Sequence, residues 1–257
     1  MYEAMMIAAT GLHNQQRRLD TIANNVANVN TVGFKSVRLD FKDALYTAGI
    51  VPGLPRTPEG NQQKGHGLMV AGTGKDFRTG NIQMTERPLD VAIEGEGFFE
   101  LRDMEGNLLY TRNGAFNLSS EADGAYLVNG NGLYVMDVNG ERIMLPEFAE
   151  TITIGLDGAI SFLTDGEESN IMIGVYTFRN LTGLLSSGNG NYSESPASGE
   201  KLTADGALIR QGAIEGSNVN LAEEMTRMIR TQRAFQLASR ALTTADEMQG
   251  IANNMRR

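Results

Sequence analysis

A chain of 257 residues without a cysteine forms no disulfide and offers no thiolate to a metal or a substrate. Its net charge of −9 is unevenly placed: residues 1–45 and 217–257 are slightly basic, while the middle carries 11 Lys/Arg against 23 Asp/Glu. That middle lacks the basic footprint nucleic-acid phosphates require, and the sequence has no run of 18 apolar residues to insert into a membrane.

The two ends are built alike. Residues 1–45 hold two glycines, residues 217–257 hold one, and neither end holds a proline; the other 27 of the 30 glycines and all six prolines lie between. This predicts an α+β chain with helical ends and a middle of short strands and turns.

At the N-terminus, Met5, Leu12, Leu19 and Val26 are seven apart, and Ala8, Gln15, Ile22 and Val29 follow three residues after each. This is a coiled-coil-like a/d seam, interrupted at Gln15. It predicts a helix over residues 3–30, roughly 40 Å long at about 1.5 Å per residue. Asn24, Asn25, Asn28 and Asn30 weaken its end, because asparagine competes for backbone hydrogen bonds. Gly33 is the natural stop, where a positive φ closes a helix. The start also lacks the basic residues and long apolar core of a secretory signal.

Residues 48–74 are rich in proline and glycine and read as an extended excursion. Beyond them, apolar runs such as Leu89–Asp103, Asn107–Ser120 and Asn170–Asn180 are separated by Gly, Asn and Asp turn signals. The spacing suits a compact antiparallel β domain. Glu94, Glu96 and Glu100 alternate along one run and read as its solvated face, opposite Val91, Ile93 and Phe99.

The C-terminal helix is predicted to start at Asn220, with Glu223 completing a capping box. From there Leu221, Met225, Met228, Gln232, Phe235, Ala238, Leu242, Ala245 and Met248 advance by threes and fours, a second seam. Each stripe is narrow, and isolated helices of this kind are marginal in water. They either pair with each other on their own domain or associate between copies.

Catalytic and cofactor signatures are missing from the sequence. His13 lies in the first helix and His66 in the excursion, and neither sits in a nucleophile, zinc or phosphate-loop pattern. No cofactor or metal is expected, and the chain does not read as an enzyme.

Three separated segments carry a resemblance. Residues 22–35 (IANNVANVNTVGFK), 87–99 (RPLDVAIEGEGFF) and 217–235 (SNVNLAEEMTRMIRTQRAF) resemble, in this order, signatures of the bacterial flagellar basal-body rod and hook family. The chain is most similar to its distal-rod branch. The resemblance implies a non-enzymatic structural subunit of the flagellar rod, a self-assembling helical polymer that transmits torque to the hook. It also implies type III export without a cleavable signal peptide and location in the basal body. The implied partners are other copies, neighbouring rod and hook proteins, and the surrounding ring proteins. The expected parts are a helical assembly domain (1–35 and 217–257), a connecting region (36–87 and 181–216) and an outer β domain (88–180). Met5, Leu12, Leu19, Ile22, Val26, Leu221, Met225, Met228, Phe235 and Leu242 are the expected assembly residues. Asn24, Asn25, Asn28, Gly33, Phe34, Asn218 and Asn220 are the signature positions. The alternatives are a proximal-rod paralogue, a hook-type subunit, or, from another class, a secreted β-domain binding module on a helical oligomerisation stalk.

Overall fold

The structure, a computed structural model, describes residues 2–44, 47–48, 63–64, 67–121, 124–146, 152–164, 167–204 and 206–255. The chain divides into two compact units: a helical unit of residues 1–27, 37–74 and 220–257, and a β unit of residues 28–36 and 75–219.

The helical unit holds α1, Tyr2–Ala27, and α2, Leu221–Asn254. Asn220 begins α2 by accepting hydrogen bonds from the Ala222 and Glu223 amides at 3.1 and 3.3 Å. Only half of the expected capping box forms, because Glu223 pairs with Arg227 at 2.5 Å. Replacing Asn220 by Ala is expected to cost ~1 kcal/mol. The check is hydrogen exchange at Ala222 and Glu223; unchanged rates would show that the cap contributes nothing.

The two helices pack along each other, yet their shared face is thinly apolar. Among the described residues of this unit, Ile22 and Ala245 are the only fully buried hydrophobic side chains, beside buried Asn14, Asn25, Glu224 and Thr231. Met5, Ala8, Leu12, Leu19 and Val26 of α1 and Met228, Phe235, Ala238 and Leu242 of α2 are half-buried. The covered face of α2 thus runs Glu224, Met228, Thr231, Phe235, Ala238, Leu242 and Ala245. It departs from the apolar reading at its start, where Leu221 and Met225 are exposed, and again at Gln232 and Met248, which are also exposed. The Thr231 hydroxyl is satisfied within the helix by the Arg227 carbonyl at 2.8 Å, which lets a polar residue sit in this face.

A paired ribbon, strands Val37–Asp43 and Leu68–Lys75, joins α1. Asn14 Nδ2 donates to the Leu68 carbonyl at 2.5 Å, and Arg18 lies over the Phe41 ring at 5.8 Å. Part of the expected excursion is therefore an eight-residue strand. Thr47–Ala48 pairs with Gln63–Lys64, while residues 49–62 and His66 lie outside the described residues.

The β unit is built on a ten-stranded sheet. At its centre, strand Phe98–Arg102 pairs antiparallel with Leu108–Thr111, Tyr134–Val135 and Val175–Phe178. Strands Leu185–Gly188, Asn191–Ser193 and Lys201–Thr203 belong to the same sheet. The 181–216 segment, read from sequence as connection, is thus part of the β unit. A three-stranded antiparallel sheet, Ile152–Ile154, Ala159–Thr164 and Glu167–Met172, adds to its core.

Both faces of the central strand are covered. Phe99 and Leu101 point into an aliphatic core with Val91, Ile93, Phe116, Leu127 and Ile209. Phe98 points the other way, into a cluster with Tyr110, Tyr176, Phe178, Leu184 and Tyr192. This corrects the expectation of one solvated glutamate face. Glu94 and Glu96 are exposed, with Gly95 at φ 118° ending the first strand, but Glu100 is buried. Its carboxylate accepts from Lys201 Nζ at 2.6 Å and from the Tyr110 hydroxyl at 3.2 Å, which offsets the desolvation.

Candidate functional site

The parts of the signature segments that lie in the β unit, at Gly33–Lys35, Ile93–Gly95 and Asn218, gather near a buried ion cluster. Lys35, Glu215 and Arg112 have side chains that are 0%, 1% and 2% exposed. Lys35 Nζ donates to Glu215 Oε1 at 2.7 Å and to the carbonyls of Phe77 and Arg78 at 3.3 and 2.8 Å. The Gly80 amide donates to the same carboxylate oxygen at 2.7 Å. Arg112 Nη1 lies 3.2 Å from Glu215 Oε2, and its guanidinium donates to the carbonyls of Ile93 and Gly95. Burial holds the Lys35 ammonium below the usual lysine range, with the Glu215 charge opposing that shift. One carboxylate therefore compensates two cations, backbone carbonyls take further donors of each, and the buried Arg112 Nε is left without a hydrogen-bond partner.

Gly33 sits against this cluster. It has φ +67°, and a Cβ there would stand 2.8 Å from the backbone of Arg112 and Asn113. Its amide donates to the Glu215 carbonyl at 2.7 Å. α1 has already ended at Ala27, so the positive φ serves a close approach of two backbones and not a helix cap. Gly33→Val is expected to destabilise the β unit by at least ~2 kcal/mol, combining backbone strain and overlap. Urea denaturation of the purified chain checks this, and a parental midpoint would refute it.

The other signature positions divide between the units. Asn25 binds both polar groups of Val37 at 2.9 Å, fixing the first ribbon strand to the end of α1. Asn24 is on the exposed side of that helix. Asn28 accepts from Thr31 Oγ1 at 3.2 Å, and the Phe34 carbonyl accepts from the Asn218 amide at 3.3 Å. The sequence pointed to Asn218 and Gly33 but missed Glu215 and Arg112. The residues beside those two show no pattern; their importance comes from pairing across long stretches of chain.

The second candidate surface is apolar. Met6 and Ile7 of α1 and Leu221, Met225, Ile229, Leu237, Met248 and Ile251 of α2 are all exposed. Leu221, Met225 and Ile229 recur every four residues, an exposed stripe that borders the covered face carrying Glu224 and Thr231. His13 is exposed on α1. Among the described residues, no cluster of His, Asp and Glu could hold a metal, and no helix is long and apolar enough to cross a membrane.

Three family descriptions match the chain in order. Residues 5–35 match "Flagella basal body rod protein", residues 92–162 match "Flagellar hook protein FlgE/F/G D1 domain", and residues 210–255 match "Flagellar basal body rod FlgEFG protein C-terminal". The flagellar basal-body rod protein FlgG of Borreliella burgdorferi is 39% identical over 100% of both chains. That of Bacillus subtilis is 37% identical, again over 100% of both. The flagellar hook-basal body complex protein FlhP of Bacillus subtilis is 32% identical over the same full extent. With identity of this order along its whole length, the chain belongs to the flagellar basal-body rod protein family.

Proposed function

We infer that the chain is a structural subunit of the distal rod in the flagellar basal body, polymerising with copies of itself into a helical tube that carries torque to the hook. The observation that carries this reading is the imbalance in the helical unit. Among its described residues two hydrophobic side chains are fully buried, while Met6, Ile7, Leu221, Met225, Ile229, Leu237, Met248 and Ile251 are exposed. A surface so rich in apolar side chains marks a place where other chains pack. Copies that bury it would also supply the stability that two narrow-striped helices lack alone. A head-to-tail contact that does not close then extends into a filament.

The β unit suits the outer, solvated part of such a tube. It has a two-sided core of its own, and the acidic middle of the chain resists unwanted association. Neighbouring rod and hook proteins are the partners at the polymer ends, and ring proteins surround the shaft. Export by the flagellar type III route, without leader cleavage, completes the reading.

The test is a mass-spectrometric inventory of purified hook–basal bodies, with electron microscopy of a deletion strain. The expected result is a chain present in stoichiometric amounts, starting at its own N-terminus, and rods truncated in its absence. A chain missing from basal bodies, or intact rods in the deletion strain, would overturn the reading.

A further inference from the structure

The β unit is tied to the rest of the chain through three segments: 28–36, 75–80 and 216–219. One side chain binds them all. Asn218 Oδ1 accepts from the Ser36 amide at 2.8 Å, and Asn218 Nδ2 donates to the carbonyls of Asp76 and Arg78 at 2.7 and 3.1 Å. Its own amide donates to the Phe34 carbonyl at 3.3 Å, and the Asp76 amide donates to the Ser36 carbonyl at 2.9 Å. A carboxamide is the small side chain that offers an acceptor and two donors in one plane.

Directly behind this knot lies the Lys35–Glu215–Arg112 cluster, which ties the same segments to the β core. Lys35 reaches the Phe77 and Arg78 carbonyls, and Glu215 holds the Gly80 amide. Phe77 packs its ring edge-on against both Phe98 and Tyr192, with centroids at 5.7 and 5.4 Å. A pull on any one segment is therefore resisted by bonds of the other two.

We propose that Asn218 is a mechanical clasp, which makes the three segments open together and bear load as one attachment of the β unit. The load-bearing part rests on the rod reading; the joint opening does not. Segments pulled singly yield one hydrogen bond at a time, whereas segments tied in parallel yield only when the network fails.

The test compares the full-length parent with Asn218→Asp, which keeps the shape but turns a carboxylate oxygen toward two carbonyls. Hydrogen exchange at Ser36, Asp76, Gly80 and Gly216, whose amide donates to the Asn81 carbonyl, is expected to accelerate roughly ten- to hundredfold by a common factor, with Leu101 and Tyr110 unchanged. Asn218→Ala should show the same pattern, and keeps the test decisive if the aspartate variant does not fold. Acceleration confined to one segment, no acceleration, or acceleration that includes the core would each overturn the clasp. In a complemented strain, rods containing Asn218→Ala should support swimming in dilute medium and lose most of it in viscous medium. Parental swimming under load would overturn the load-bearing role. Absence of the parental chain from basal bodies would instead defeat the rod reading and leave the exchange result standing.

Discussion

Replacing Glu215 by Ala should lower the stability of the β unit by roughly 3–5 kcal/mol, the cost of leaving buried charge unpaired. The carboxylate lies 2.7 Å from Lys35 Nζ and 3.2 Å from Arg112 Nη1, and neither cation has access to water. The same change leaves the Gly80 amide without its acceptor. A loss of this size is a large part of the roughly 5–15 kcal/mol that folded domains possess. The measurement is urea denaturation followed by tyrosine fluorescence, since the chain has seven tyrosines and no tryptophan. The variant should also have a steeper pH dependence than the parent, in which burial already lowers the Lys35 pKa. Without Glu215 nothing as strong opposes the burial of Lys35, so the folded state releases its proton further below the unfolded lysine value. Between those two values the unfolded chain binds more protons, so stability rises with pH. Combining Lys35→Met with Glu215→Leu should cost less than Glu215→Ala, because it leaves one buried cation, Arg112, without its carboxylate and not two. A single-variant loss under ~1 kcal/mol would show that water or a counter-ion reaches the cluster.

What could be read from the sequence follows from the range of the interactions involved. The two helices were visible because their seams repeat every three or four residues and their ends lack proline, both local properties. The cap at Asn220 was visible for the same reason. The covered face of α2 was harder. Its apolar residues form two stripes, one with Met228, Phe235 and Leu242 and one with Leu221, Met225 and Ile229. Periodicity joined Leu221 and Met225 to Met228, Phe235 and Leu242 in one seam, and cannot say which part of it the chain itself covers. The covered stripe turned out to include the polar Glu224, whose Oε1 accepts from Arg227 while its Oε2 has no hydrogen-bond partner, and Thr231, whose hydroxyl donates to the Arg227 carbonyl.

Glu100 failed for a related reason. Alternation along a strand implies a wet face only when one side of the sheet is open, and here an aromatic cluster covers the second side. Gly33 was read correctly as needing a positive φ, but the reason lay in a backbone 79 residues further on, at Arg112. The Lys35–Glu215 pair spans 180 residues, and no local pattern could reveal it. The organisation of the chain into units was similarly non-local. Strands at residues 185–203 join the central sheet through pairing with Tyr110 and Tyr176, distant in sequence.

Changing Met225 and Ile229 together to glutamate should abolish assembly while leaving the fold intact. These side chains are 50% and 53% exposed, one turn apart on the outward stripe of α2. Glutamate is a good helix former, and exposed substitutions of this kind stay within about ±0.5 kcal/mol each. The isolated chain should therefore keep its circular dichroism and denaturation midpoint. In the polymer the same positions would bring two carboxylates into a packed apolar contact, where unpaired charge costs several kcal/mol. A helical polymer repeats that cost at every subunit, so incorporation should fall below detection and swimming should stop. Phe235→Asp makes the contrasting case: Phe235 is half-buried within the helical unit, so that change should harm both folding and assembly. The pair distinguishes a stripe proposed to meet other copies from one that holds the helices together. The readouts are denaturation of the purified chain, its amount in isolated basal bodies, and motility of the complemented strain. Normal basal-body content with both glutamates present would show that this stripe faces solvent in the rod, and assembly would have to use other faces of α1 and α2.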